Sequence, residues 1–284
     1  MGTSPLQWPV ITVRDWREFI EALEATLDAF RLPNAYIFRG QADSSWTLKP
    51  SLLRRMGDIK DRAFAREVEQ FLEEEFVGQA HLFPETRDVW LSLDGAATRA
   101  HTWGFMQHHS CPTRLLDWTS SAFVAAYFAV DQLLDTDGAL FIVAPQAVHL
   151  YFERRNPQLA SITDDLLFDS TTPDCVGFTW PSLKPSRALA QQGQFSMNTN
   201  ILASHDGPIL EACYAIKSEQ PNKVIHRKII IPAYLKPLFL QQLRTMNVTA
   251  SSLFPTLDGT GKSLADLATL KVALYKADQT RKKM

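Results

Sequence analysis

The segment from Ser120 to Leu134 constrains this chain more than any other. It is apolar on nearly every side until Asp131, the pattern of a helix enclosed by other elements rather than lying on a surface. Gly138–Ala144 (GALFIVA) follows closely and predicts a buried strand. A buried helix beside a buried strand needs further layers to cover both, so the chain must build a core of helices and sheet.

Composition agrees. Hydrophobic residues make up 45% and charged residues 21%, which excludes a disordered, collagen-like or low-complexity chain. Lys plus Arg number 29 against 31 Asp plus Glu, a formal charge of -2. That gives no support to broad electrostatic binding of nucleic acid, although a local basic patch is compatible with it. Cys111, Cys175 and Cys213 are too few and too dispersed for a disulfide scaffold. The opening MGTSPLQWPV lacks the basic and apolar regions of a signal peptide and departs from the myristoylation pattern. The longest apolar stretch, Ala122–Val130, is too short to cross a bilayer. A soluble cytoplasmic protein without membrane contact is expected.

Periodicity supplies the remaining elements. Trp16, Phe19, Ile20, Leu23, Leu27 and Phe30 mark one face of a helix over 13–30, with Thr12 and Asp15 as a capping box and Pro33-Asn34 as its stop. Ala35–Arg39 predicts a strand interrupted by Gly40. Further helices are expected over Asp61–Val77, Gly95–Met106, Leu235–Met246 and around Leu264–Leu274, before a basic tail of Arg281, Lys282 and Lys283. Strands are expected at Phe195–Asn200 and Lys223–Ile231, and long loops with short strands between His149 and Pro185. There is no internal repeat and no regular βαβ alternation. The expectation is α+β in a single domain, a mixed or antiparallel sheet with several flanking helices. Its divisions are an N-terminal helical segment (1–34), a central domain (35–260) and a C-terminal helix with the tail (261–284).

Four segments carry polar groups worth weighing. The first is Phe38-Arg39-Gly40-Gln41, where a strand ends in an arginine able to fork onto phosphate or carboxylate, beside a glycine open to close approach. A simple pairing of Arg39 with a nearby acid explains it equally well. The second, Gln107–Thr119 (QHHSCPTRLLDWT), concentrates polar side chains just before the apolar helix. Thr119 or Ser120 would cap that helix, Asp117 would favour its positive end, and Arg114, three residues before Asp117, would pair with it. Gln107, His108 and His109 are less easily explained by structure, and a helix start with Arg114 nearby suits an anion. The histidines and Cys111 match no zinc spacing, so no metal is expected. The third, Arg187–Ser196, offers Gln191, Gln192 and Gln194, or else is a helix end capped at Gly193. The fourth, Ser251–Gly259, ends in Asp258-Gly259, ordinarily a turn.

In order and spacing these segments resemble the FRG domain family. The resemblance rests on Phe38-Arg39-Gly40-Gln41, Trp46 and Pro50–Arg54, then Gln107–Trp118, Ala125, Tyr127 and Phe128, then Arg187, Gln191, Gly193 and Phe195, and Leu253–Gly259. Ser110 departs from the glycine usual after the paired ring residues, so a left-handed turn there would be strained. More distantly the layout is similar to ADP-ribosyltransferases, which implies a split sheet, NAD as substrate and glycosyl transfer to a protein or nucleic-acid acceptor. By that likeness Arg39 would hold phosphate, with Phe38, Gly40, Gln41, Gln107, His109, Thr113, Arg114, Gln191, Gln194 and Ser196 around the nucleotide. Catalysis would fall to Arg39, His108, Asp117 and Asp258, with Glu211 as another carboxylate. A bacterial toxin or phage-defence effector would fit the resemblance. The alternatives are a nucleotide- or phosphate-binding module without turnover, and a nuclease or hydrolase using His108 and Asp117.

Overall fold

The computed structural model describes residues 6–28, 35–80, 82–83, 99–155, 157, 167, 172–179 and 186–282. Expectations for Phe30, Pro33-Asn34, Gly95–Thr98, most of 156–185 and Lys283 lie outside the described residues.

Seven strands form one mixed sheet: β1 (Val10–Thr12), β2 (Ile37–Gln41), β3 (Leu115–Thr119), β4 (Gly138–Val143), β5 (Val176–Thr179), β6 (Gly193–Asn198) and β7 (His226–Ile231). Their order is β1-β7-β4-β2-β3-β6-β5. Only β1 and β7 run parallel; the other neighbours are antiparallel. The sheet is nevertheless made of two halves. β2 shares five registered pairs with β4, and β3 five with β6, but β2 and β3 meet only at Phe38↔Thr119. Beyond that pair the strands part. The seam is the origin of the site.

The helices, in chain order, are α1 (Trp16–Leu27), α2 (Ser51–Met56), α3 (Arg62–Ala80), α4 (Arg99–His108), α5 (Ala122–Val130), α6 (Pro145–Arg155), α7 (Ser186–Ala190), α8 (Asp206–Glu219), α9 (Lys236–Thr245), α10 (Ala250–Leu253) and α11 (Leu257–Lys282). As its composition demands, α5 is the enclosed one: Val124–Tyr127, Ala129 and Val130 are all buried. It lies across β2 and β4 and is covered by α9, where Phe239 meets Trp16 and Phe19 of α1 edge-on. All six residues of β4 are buried. A second apolar cluster joins α4 to the other half-sheet through Trp103, Met106, Leu115 and Met197.

Several local expectations are corrected. Asp15 itself caps α1 by accepting from the Glu18 N–H, so Thr12 plays no capping part and belongs to β1. Ser121, not Thr119 or Ser120, caps α5. Gly40 does not interrupt β2, which runs on through Gln41. Gln192, with φ of 49°, makes the left-handed turn after α7 that was expected of Gly193. Asp258-Gly259 lies in the first turn of α11, where Thr256 Oγ1 accepts from the Gly259 N–H at 3.2 Å and a Cβ at Gly259 would sit 1.9 Å from the Phe254 carbonyl oxygen. Helices α6 and α8 and the short strands β1 and β3 were not anticipated. Ser110 does adopt the left-handed conformation, with φ of 66°.

Candidate functional site

A cleft of about 1140 Å³ opens at the seam. Its walls come from β2 and the following turn, from α4, from β3, from the end of α5, and from α7 with the start of β6. Residues 39, 108, 109, 117 and 191 therefore reach one space although they are scattered along the chain. Its size is at or above the upper end for small-molecule sites, about 300–1,000 Å³.

The alternation of β2 sorts its side chains. Gly40 faces α5, and a Cβ there would lie 1.8 Å from the Ala125 carbonyl oxygen and 2.7 Å from the Ala129 nitrogen. Its smallness thus serves the helix packed on the sheet, not the approach of a ligand. Arg39 and Gln41 project to the opposite side by the two-residue period of a strand. Arg39 donates from Nη1 to the Asp117 carbonyl oxygen at 2.6 Å, bridging the seam where main-chain pairing has stopped. Gln41 donates from Nε2 to the Thr47 carbonyl at 3.3 Å, which fixes the orientation of its amide. Arg39 Nε and Gln41 Oε1 are buried and make no hydrogen bond among the described residues.

Lys236 secures the rim. Fully buried on α9, it donates from Nζ to the carbonyls of Ala42, Gln132 and Leu133 at 2.7 to 2.9 Å, tying the end of β2 to the end of α5.

Charge in the cleft is unbalanced. Arg62, Arg99, Arg114, Arg154 and Arg155 each pair with an acid. Arg39, Arg54 and Arg187, which line the cleft, form no ion pair among the described residues. Arg54 donates to the Lys49 carbonyl at 2.5 Å. Arg187 lies with its guanidinium 4.6 Å above the Phe254 ring and reaches the His108 carbonyl at 3.5 Å. Burial pulls the Arg39 guanidinium below its usual value; Asp117 opposes that shift and nearby Arg54 adds to it. The two acids on the wall differ. Asp117 is exposed to the cleft, whereas Asp131 is held by Lys262 at 3.0 Å and is pushed up chiefly by burial.

Both members of the His pair line the cleft. Their rings meet edge-on with centroids 4.9 Å apart, and His109 stands against Phe105 at 4.7 Å. Burial lowers His108 below the ordinary imidazole range, and His109 and Arg187 push it further the same way. Both causes favour the neutral imidazole over the charged one.

The structure gathers Phe38, Arg39, Gly40, Gln41, Gln107, His108, His109, Asp117 and Gln191 at the cleft. It places six other expected site residues elsewhere. Arg114 is 1% exposed and forks onto Glu69, itself 3% exposed, so it neither pairs with Asp117 nor reaches a ligand. Thr113 is buried, accepting from Leu115 N–H and donating to Gln107 Oε1. Ser196 lies beneath the wall, where it accepts from Trp118 Nε1 and bonds His205 Nδ1, each at 2.8 Å. Gln194 is buried beside it on β6. Asp258 is exposed on α11 and lines no part of the cleft. Glu211 binds Arg155 and Tyr151 on α8.

Sequence reasoning missed Arg54, Asp131 and Arg187 as lining residues. Arg187 and Arg54 stood within the motifs, and Asp131 is the first charge after the apolar helix; each was visible but not assigned. The fourth motif works at one remove: Leu253 accepts from Gln191 Nε2 at 3.2 Å, and Phe254 underlies Arg187.

A family model described as FRG domain matches residues 34–138. That stretch of the chain is similar to the FRG domain. The match spans β2 to the start of β4, and so contains Arg39, Arg54, the His pair, Asp117 and Asp131. Arg187 and Gln191 close the cleft from beyond it. Comparison with curated proteins and with solved structures gives no match. Among the described residues no helix is long and apolar enough to cross a membrane, and no cluster of His, Cys, Asp and Glu has the makings of a metal site.

Proposed function

We propose that the cleft of this chain binds NAD and that the protein is an ADP-ribosyltransferase-like enzyme. One observation carries the reading: three guanidiniums without acid partners share a cleft with one exposed carboxylate, at a gap in the sheet. Arg39 would grip the pyrophosphate, since a planar guanidinium binds phosphate oxygens in pairs. Gln107 and Gln191 supply amide groups for hydroxyls, and Trp46, Phe105 and Phe195 offer faces for rings. Asp117, exposed on the cleft wall, would stabilise positive charge developing on a ribose carbon as nicotinamide leaves. His108, favoured in its neutral form, accepts a proton from the incoming acceptor, a protein or nucleic-acid group. A cytoplasmic toxin or defence effector is the biological role that suits such chemistry.

Calorimetric titration with NAD and an assay for released nicotinamide test this. Arg39→Ala should weaken NAD binding by 10-fold or more, given about 1.5–3 kcal/mol for a hydrogen bond to a charged group. Asp117→Asn should bind NAD yet lose roughly 10²–10³-fold in nicotinamide release. Neither binding nor nicotinamide from the intact protein would reject the proposal. One observation favours a second reading, a nucleotide-binding module without turnover: Asp258 and Glu211 lie outside the cleft and Asp131 is paired, leaving Asp117 as its lone unpaired acid among the described residues. NAD binding with no nicotinamide under any condition would select it.

A further inference from the structure

Behind Arg39 lies a second, smaller hollow of about 160 Å³ that shares Arg39, Arg54, Gln107 and Asp117 with the main cleft and adds Ser51, Ser110 and Cys111. We propose that this hollow is a subsite for a single phosphate group. The inference goes beyond the nucleotide reading of the cleft, on which it rests only for the question of what carries the phosphate.

Size comes first. Water takes about 30 Å³ per molecule in the liquid, so the hollow has room for about five waters. That admits a tetrahedral oxyanion and excludes a nucleoside. Charge comes next. Arg39 and Arg54 approach closely enough for each other's charge to matter, and among the described residues neither has an ion-paired acid. Their like charges repel, a repulsion that Asp117 at the same hollow offsets for Arg39 and that a bound anion would offset for both.

The neutral groups point the same way. The Thr113 hydroxyl accepts from Leu115 N–H and donates its hydrogen to Gln107 Oε1. Gln107 therefore turns its NH₂ group, a donor, away from Thr113. Ser51 is already engaged with Thr113 and contributes little. Ser110 holds φ of 66°, a conformation that strains any residue with a Cβ, and it keeps a hydroxyl at the hollow where glycine would fit without strain. Asp117 opposes the others. Its carboxylate also lines the hollow, so the balance is two permanent cations against one anion.

The test uses the full chain, with inorganic phosphate, NAD and NADP as probes in calorimetry and thermal unfolding. Wild-type protein should bind phosphate and gain Tm with it. Arg54→Gln should weaken phosphate binding by at least 10-fold. Ser110→Gly should raise the Tm of the free protein and yet weaken phosphate, a divergence that a purely structural serine would not give. Asp117→Asn should tighten phosphate, the reverse of its effect on nicotinamide release. Phosphate competing with NADP but not with NAD, together with tighter binding of NADP than NAD, places the phosphate on the nucleotide. Phosphate binding unaffected by either nucleotide makes it a free ion. No phosphate binding by the wild type, or equal binding by wild type and Arg54→Gln, overturns the proposal. Failure of NAD to bind while Arg54-dependent phosphate binding persists removes the nucleotide reading and leaves the subsite.

Discussion

Substituting Gly40 with alanine separates two explanations of the FRG motif's glycine, contact with a ligand or contact with α5. The added Cβ would stand 1.8 Å from the Ala125 carbonyl oxygen, against the 3.0 Å below which such contacts essentially never fall. The obstacle is helix backbone, so no rotamer change relieves it and α5 must retreat by more than an ångström. That helix is buried on nearly every side, and a close-packed interior has no slack to receive it. Overpacking costs about 1–3 kcal/mol where side chains can adjust; here the loss should be about 3 kcal/mol or more, a large part of the roughly 5–15 kcal/mol that holds a domain together. Urea denaturation followed by tryptophan fluorescence measures it directly. A Gly40→Ala protein whose midpoint is within about 0.5 kcal/mol of wild type, but which no longer binds ligand, would refute the packing argument and return the glycine to the ligand.

Removing Glu69 should strand the buried guanidinium of Arg114; Glu69→Ala is expected to lose about 3–5 kcal/mol in the same denaturation experiment, and a loss below 1 kcal/mol would contradict it. Ser196→Ala leaves the Trp118 indole N–H and the His205 ring unpartnered in the core, at an expected cost of about 1–3 kcal/mol; an unchanged midpoint would show that the bonds contribute nothing. Burial holds His205 down at about 3 and His226 at about 4, whereas both titrate near 6.5 when unfolded. The unfolded chain thus takes up protons first, so stability is intact above about pH 6.5 and falls as acid is added, by about 1–2 kcal/mol per histidine at pH 5. His226→Phe, at a ring that makes no hydrogen bond among the described residues and sits against Trp8 and Tyr214, should remove part of that slope. A midpoint that does not move between pH 7.5 and 5 would refute the assignment of neutral buried rings.

The elements whose fate is decided locally were legible in the sequence. α5 and β4 announce themselves because nothing but burial suits an unbroken apolar run. The convergence of Arg39 with the His pair was also anticipated, through motif order. What stayed hidden depends on partners far away in the chain. β3 is five residues inside a polar run, and its ladder is supplied by β6 some eighty positions later. Arg114 looked available because its acid, Glu69, comes forty-five residues earlier on α3. The Asp258-Gly259 pair carries the local chemistry of a turn, yet it stands in the first turn of α11 with Gly259 packed onto Phe254. Ser196 and Gln194 were correctly judged polar and wrongly placed, since strand polarity does not say which face is roofed over.

The single rung between β2 and β3 has a consequence for whatever occupies the gap. Apart from the Asp117 carbonyl, which the Arg39 side chain meets, peptide groups of Arg39–Gln41 and Leu116–Trp118 that point across it have no registered mate there, and main-chain donors and acceptors must find partners somewhere. A guest is thus offered a rail of peptide dipoles as well as side chains. Substitutions along the rail leave those dipoles in place, so this share of recognition tolerates drift in sequence. Zippering the two strands by a few more rungs would erase it.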